Sequence, residues 1–79
     1  MVQKWEKFIS KNPLKNILNK IIIDISNNNL DEYYIKKLSW YENYYRIRKW
    51  NIRIVFIKEE NVNKIVAVDT RWNIYRWLK

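Results

Sequence analysis

Apolar residues recur at helical intervals through the first third of the chain. Leu14, Ile17, Leu18, Ile21, Ile22 and Ile25 follow i, i+3, i+4, i+7, i+8 and i+11, and Lys15, Asn16, Asn19, Lys20 and Asp24 fall between them. That period predicts an amphipathic helix over residues 13–26. Asn12-Pro13 would open it, as an N-cap followed by proline at the first helical position, and Asn27-Asn28-Asn29 would close it. Upstream, Val2, Trp5, Phe8 and Ile9 share the spacing and predict a short helix over 2–11. The two helices are expected to form an αα-hairpin whose stripes face the core. Residues 30–42 have no clean period and are expected to be mostly loop.

From residue 44 the period shortens to two. In Tyr44-Tyr45-Arg46-Ile47-Arg48-Lys49, one face takes Tyr45 and Ile47 and the other Tyr44, Arg46 and Arg48. Ile52-Arg53-Ile54-Val55-Phe56-Ile57 is nearly all apolar, as a central strand covered on both faces should be. Lys58 to Asn63 reads as a polar turn, and residues 64–69 as a third, buried strand. Residues 70–73 read as a loop, and Ile74 to Leu78 as a short strand or helical turn. The order is helix, helix, then a three-strand meander with a tail. This argues an α+β domain, with two N-terminal helices packed on one face of a small antiparallel β-sheet and the other face free to be basic.

Seventy-nine residues bound the chain to one domain with a small core. Cysteine and histidine are both absent, which removes disulfides, the commonest zinc ligands and histidine as a general base. The longest apolar run, Ile21-Ile22-Ile23, is far too short to span a membrane. No cleavable signal pattern opens the chain, so a cytoplasmic protein is the default. No glycine-rich phosphate loop, metal-ligand cluster or nucleophile motif is present, and no cofactor is implied. Glu59-Glu60 reads as solvated turn surface. Net charge is +8, from 16 Lys and Arg against 8 Asp and Glu, and this favours a polyanionic partner. All the arginines (Arg46, Arg48, Arg53, Arg71 and Arg76) lie in the second half. Arginine is the better fork for phosphate and the better stacker on bases.

The chain has no glycine, where an average protein has about 7%. It has 5 tryptophans, and Trp40, Trp50 and Trp72 stand where turns want glycine. Trp-Asn is not a usual turn pair, whereas Gly-Asn is, because glycine accepts positive φ without a Cβ clash. Ile, Lys, Asn and Tyr make up just over half of the chain, as in an AT-rich gene. One hypothesis is that some of these tryptophans are stop codons that the source organism reads as glycine. TGG codons at positions 50 and 72 would end it.

Five segments taken together carry a resemblance. They are Leu38-Ser39-Trp40, Tyr45-Arg46-Ile47-Arg48, Ile52-Arg53-Ile54-Val55-Phe56, Val66-Ala67-Val68-Asp69-Thr70-Arg71 and Ile74-Tyr75. In order and spacing they resemble the RelE/ParE superfamily of toxins from bacterial toxin–antitoxin pairs, over about residues 5 to 78. Trp40, Trp50 and Trp72 fall on three glycines of the family pattern. The resemblance implies a ribosome-dependent mRNA endonuclease, neutralised by a cognate acidic antitoxin protein, with the ribosome and mRNA as further partners. It places Arg46, Arg48, Arg53, Arg71 and Tyr75 around the scissile phosphate, and beside them Lys49 and Arg76 are expected, on their charge, to be further RNA contacts.

The residue types suit that chemistry. Attack by an RNA 2′-OH needs a proton acceptor, charge stabilisation at phosphorus and a proton donor to the leaving oxygen. Arginines stabilise charge bidentately, and Tyr75 can stack on a base or move a proton. Where family members often carry lysine on the second strand, this chain has Arg46 and Arg48. Arginine stays protonated, so Tyr75 or Lys49 is left as the base, or electrostatics drive the reaction. The family's N-terminal strand is also expected to be missing, which would leave a sheet edge exposed. Two other functions fit the same outline. One is a ParE-like gyrase poison without nuclease activity, and the other is an inactive chain that only binds an antitoxin.

Overall fold

The computed structural model describes residues 3–39 and 42–77, apart from the side chains of Tyr75 and Trp77. Helix α1 is Lys4–Ser10 and α2 is Lys15–Ser26. Strands β1 (Ile35–Lys37), β2 (Tyr44–Lys49), β3 (Ile52–Glu59) and β4 (Val62–Thr70) follow, and then a four-residue helix, α3 (Ile74–Trp77). The strands form one antiparallel sheet in the order β1-β2-β3-β4. The α+β architecture is the expected one: α1 and α2 pack on one face of the sheet. Among the described residues no helix is long and apolar enough to cross a membrane.

Local chemistry sets the helix ends. The Glu6 carboxylate accepts from the Gln3 N–H (3.2 Å) at the start of α1. Asn12 Oδ1 accepts from the Leu14 N–H (2.9 Å), so Asn12 stabilises the turn into α2, and the helix begins two residues later than the proline suggested. The end of α2 is a Schellman motif. Asn28 adopts φ 56° and donates to the Ile25 carbonyl, while Asn29 donates to the Asp24 carbonyl (2.8 Å). Asn63 on β4 then donates its amide to the Ile25 carbonyl (2.9 Å), tying the helix end to the sheet.

The main core lies between the helices and the sheet. Ile9, Leu18, Ile21 and Ile25 meet Ile47, Ile52, Ile54, Phe56 and Val68, and Tyr45 stacks on Phe56 at 5.9 Å. A second, smaller cluster occupies part of the opposite face, where Leu38, Val55, Ala67 and Ile74 are buried together. A bulge in β4 opposite Val55/Phe56 makes this possible. It leaves Ile65 facing the helices and turns Val66 and Ala67 toward the second cluster.

Three expectations need correction. The segment expected to be loop contains β1: Ile35 is half-buried on the helix side, while Tyr34 and Lys36 point outward, a strand period too short to register in a long window. The face expected to be open and basic is half covered, because α3 and Leu38 close over Val55 and Ala67. The polar turn expected over 58–63 is much tighter, since β3 runs to Glu59 and β4 starts at Val62. No strand precedes α1 among the described residues.

Candidate functional site

Register decides which charges share a face. Arg48 lies opposite Arg53, and Arg53 opposite Asp69, so one row crosses β2, β3 and β4. The next row runs Lys36, Arg46, Val55, Ala67. Tyr34 immediately precedes β1 and continues its alternation, beside Arg48. Strands lie about 4.8 Å apart, so the side chains of each row are neighbours. Alternation puts them on the face away from the main core. Asp69 also borders Lys4 and Lys7 of α1 at the β4 side, and Tyr34 and Arg48 border Ile17 and Lys20 of α2 at the β1 side. Arg46, Arg48, Tyr34 and Lys36 line one open groove of about 520 Å³.

Arg71 follows β4 at the same end of the sheet as Arg48 and Arg53. Its N–H donates to the Asn51 carbonyl (2.7 Å), so the end of β4 is held against the β2–β3 turn. The Arg71 guanidinium lies over the Trp72 ring at 5.4 Å, and both residues are exposed. Tyr75 is in α3, one residue after the buried Ile74; its side chain lies outside the described part of the structure, as does Trp40.

Arg53 is placed differently from its neighbours. It is only 6% exposed, and its Nη1 donates to the carbonyls of Trp50 (3.0 Å) and Ile52 (3.2 Å). It therefore braces the β2–β3 turn from beneath. That turn has two residues, Trp50 and Asn51, between the paired Lys49 and Ile52. Trp50 takes φ 53°, the conformation glycine adopts most readily, and is 59% exposed. Trp72 is also exposed, but its φ is not positive.

Lys49 and Arg76 do not join the row. Lys49 points to the helix side of β2, where it stacks over Trp50 at 4.9 Å. Arg76 lines a separate basic groove with Lys4, Lys7, Lys11, Asn73 and Asp69. Sequence reasoning missed Tyr34 and Lys36. The signal was present as Tyr-x-Lys alternation, but it lay inside a segment read as loop.

The segment leading to Tyr34 is anchored by its neighbour. The Tyr33 hydroxyl donates to Asp24 Oδ2, and Lys20 Nζ reaches the same oxygen at 2.9 Å. The bond from Tyr33, then that from Lys20, hold the Asp24 carboxyl below the usual carboxylate range. Burial first, and the carboxylate second, push the Tyr33 phenol up. Tyr33 thus stays neutral and fixed to α2 while Tyr34 faces solvent.

No family model and no curated protein matches the sequence. Among solved structures the chain is similar to the RelB-RelE antitoxin-toxin complex from Methanococcus jannaschii, at 27% identity and a TM-score of 0.77. The match covers 99% of this chain and 96% of that one. With two helices on a four-stranded antiparallel sheet, and a likeness that runs nearly end to end, the chain has the RelE-like toxin fold.

Proposed function

We propose that this chain is the toxin of a toxin–antitoxin pair and acts as a ribosome-dependent mRNA endonuclease. The observation that carries the reading is the grouping of Arg46 and Arg48 on the outer face of β2 with Arg71 held against the β2–β3 turn, in a RelE-like sheet. The similar solved chain was crystallised as an antitoxin-toxin complex, which supports an antitoxin as partner here. A net charge of +8 suits both an acidic antitoxin and RNA.

In this reading the RNA 2′-oxygen attacks the adjacent phosphorus, a cyclic phosphate forms and the 5′-oxygen leaves. Arg46 and Arg48 receive the charge that builds on the non-bridging oxygens, each as a two-pronged donor. Arg71 approaches from the end of β4 and completes the clamp. Arg53 serves by holding the turn that aims Arg48, through the carbonyls of Trp50 and Ile52. Tyr75 is the candidate to relay the proton from the 2′-hydroxyl to the leaving 5′-oxygen, because arginines stay protonated at neutral pH.

Purified translating ribosomes programmed with a reporter mRNA test the reading. The expected result is cuts within the codon in the ribosomal A site, lost in Arg71→Ala and Arg48→Ala. No cuts, together with inhibited gyrase supercoiling, would establish the ParE-like alternative. Neither activity, with antitoxin binding intact, would leave an inactive binder.

A further inference from the structure

We infer that Tyr34 is a base-stacking platform, forming with Lys36 and Arg48 a subsite for one unpaired nucleotide of single-stranded RNA beside the arginine row. The inference rests on the RNA-directed reading above and names a contact that reading does not need.

Three observations converge on it. Tyr34 is 83% exposed, the most exposed of the large hydrophobic side chains described, so the fold gains almost nothing from its ring. It stands at a fixed place nonetheless. Tyr33 is tied to Asp24 on one side, and Ile35 pairs with Ile47 on the other. The backbone that carries the ring is thus held at both ends, so a base that settles on it need order only the two side-chain torsions of a tyrosine. Its surroundings are cationic on the outer side, and toward α2 it borders a mixed groove with Ile17, Lys20, Glu32 and Lys49. Tyr34, Lys36, Arg46 and Arg48 line one groove of about 520 Å³, and among the described residues neither Lys36 nor Arg48 makes an ion pair.

An aromatic face flanked by cations matches the two halves of a nucleotide. The ring takes a base through its π-face, and the ammonium and guanidinium take the phosphates on either side of it. Lys36 and Arg48 flank Tyr34 at spacings set by the strand period and the strand separation, of the order of one nucleotide repeat. Duplex RNA would not use this geometry, because its bases are already stacked on one another.

The test is binding of a short fluorescent oligouridylate to the full chain, without ribosomes, by anisotropy across a salt series. Tyr34→Ala is expected to weaken binding about 5- to 100-fold. Tyr34→Phe should stay within about twofold of the parent, because stacking needs the ring and not the hydroxyl. The slope of log affinity against log salt should be unchanged in Tyr34→Ala and shallower by about 0.7 in Lys36→Ala. An oligomer of abasic residues should bind Tyr34→Ala and the parent equally. Tyr34→Ala binding oligouridylate like the parent would overturn the inference, as would Tyr34→Phe losing as much as Tyr34→Ala. So would a parent chain that binds no oligomer. Thermal unfolding of each variant separates lost folding from lost stacking. The functional reading fails independently: Tyr34-dependent binding with no ribosomal cleavage would refute the nuclease and leave the subsite standing.

Discussion

Position 50 should prefer glycine to alanine, against the usual order of stability. Trp50 holds φ 53° in the two-residue turn between β2 and β3. A residue with a Cβ pays about 1–2 kcal/mol in that conformation. Glycine avoids this but costs about 0.4–1 kcal/mol through the greater freedom of its unfolded chain. The balance favours Trp50→Gly over Trp50→Ala by about 0.8 kcal/mol. In a domain of this size that is about 3–6 °C in the unfolding midpoint. Comparison with the parent is less clean, because both variants also lose the Lys49–Trp50 contact at 4.9 Å, worth about 0.5–1 kcal/mol at an exposed site. Both keep the bond from Arg53, which goes to the main-chain carbonyl of residue 50.

Position 72 supplies the control. Trp72 is as exposed as Trp50, at 63%, but its φ is not positive. There Ala should exceed Gly by about 0.4–1 kcal/mol. Four thermal melts, monitored by circular dichroism at one pH and salt, check both signs. If Ala matches or exceeds Gly at position 50, the turn does not hold residue 50 in the left-handed region, and the strain argument is wrong. The result also bears on how the gene is read. Only position 50, of the two described, has a backbone that asks for glycine, so the intact mass of the chain made in its own host should show glycine there if the codon is reassigned.

Other perturbations follow from the packing. Phe56→Ala removes a fully buried ring under the Tyr45 stack and should cost about 3–5 kcal/mol. A chain of this length has about 4–12 kcal/mol in total, so the urea midpoint should fall sharply, and a small shift would refute the placement of the core. Asp24 has a lowered folded pKa, so its contribution is complete above the ordinary carboxylate range and is lost as pH falls through the lowered value. Asp24→Asn should therefore flatten the acid limb of stability measured by urea titration at successive pH values. Ile74→Ala should release α3 before the sheet, since a four-residue helix cannot persist without its anchor. Hydrogen exchange should quicken at residues 74–77 while β3 amides stay protected.

The strong periods were legible in the sequence, and the short ones were not. The α2 stripe and the Tyr44–Lys49 and Ile52–Ile57 runs each state one period over six residues or more, and each became the predicted element. Strand β1 spans three residues, so only its pairing with β2 makes it a strand. The tail over residues 74–78 could be read as a short strand or a helical turn, and the structure forms the helical turn. Alternation did not single out Ile74 among its apolar neighbours Trp72, Tyr75, Trp77 and Leu78; it is buried with Val55 and Ala67, where a β4 bulge reshapes the surface it meets. Among the site residues, the shared face of Arg46 and Arg48 followed from alternation alone. The burial of Arg53 did not, because it depends on which carbonyls the turn presents. That Lys49 points the other way was implicit in the same alternation and was set aside in favour of its charge.

The arrangement of Arg48 and Arg53 is itself an argument about function. Directly opposed like charges on neighbouring strands are destabilising. The chain reduces that conflict by treating the two differently. Arg53 turns under the hairpin onto two carbonyls and lies opposite Asp69 in the register of β3 and β4, whereas Arg48 stays exposed beside Arg46. A stability-driven sequence would place a threonine or a valine at position 48, where nothing in the described structure requires a cation. Local rules are broken most often where a site must serve a ligand. Arg48→Thr should therefore raise the unfolding midpoint while it reduces RNA affinity and shallows its salt dependence. A variant that loses stability as well would mean that Arg48 belongs to the scaffold.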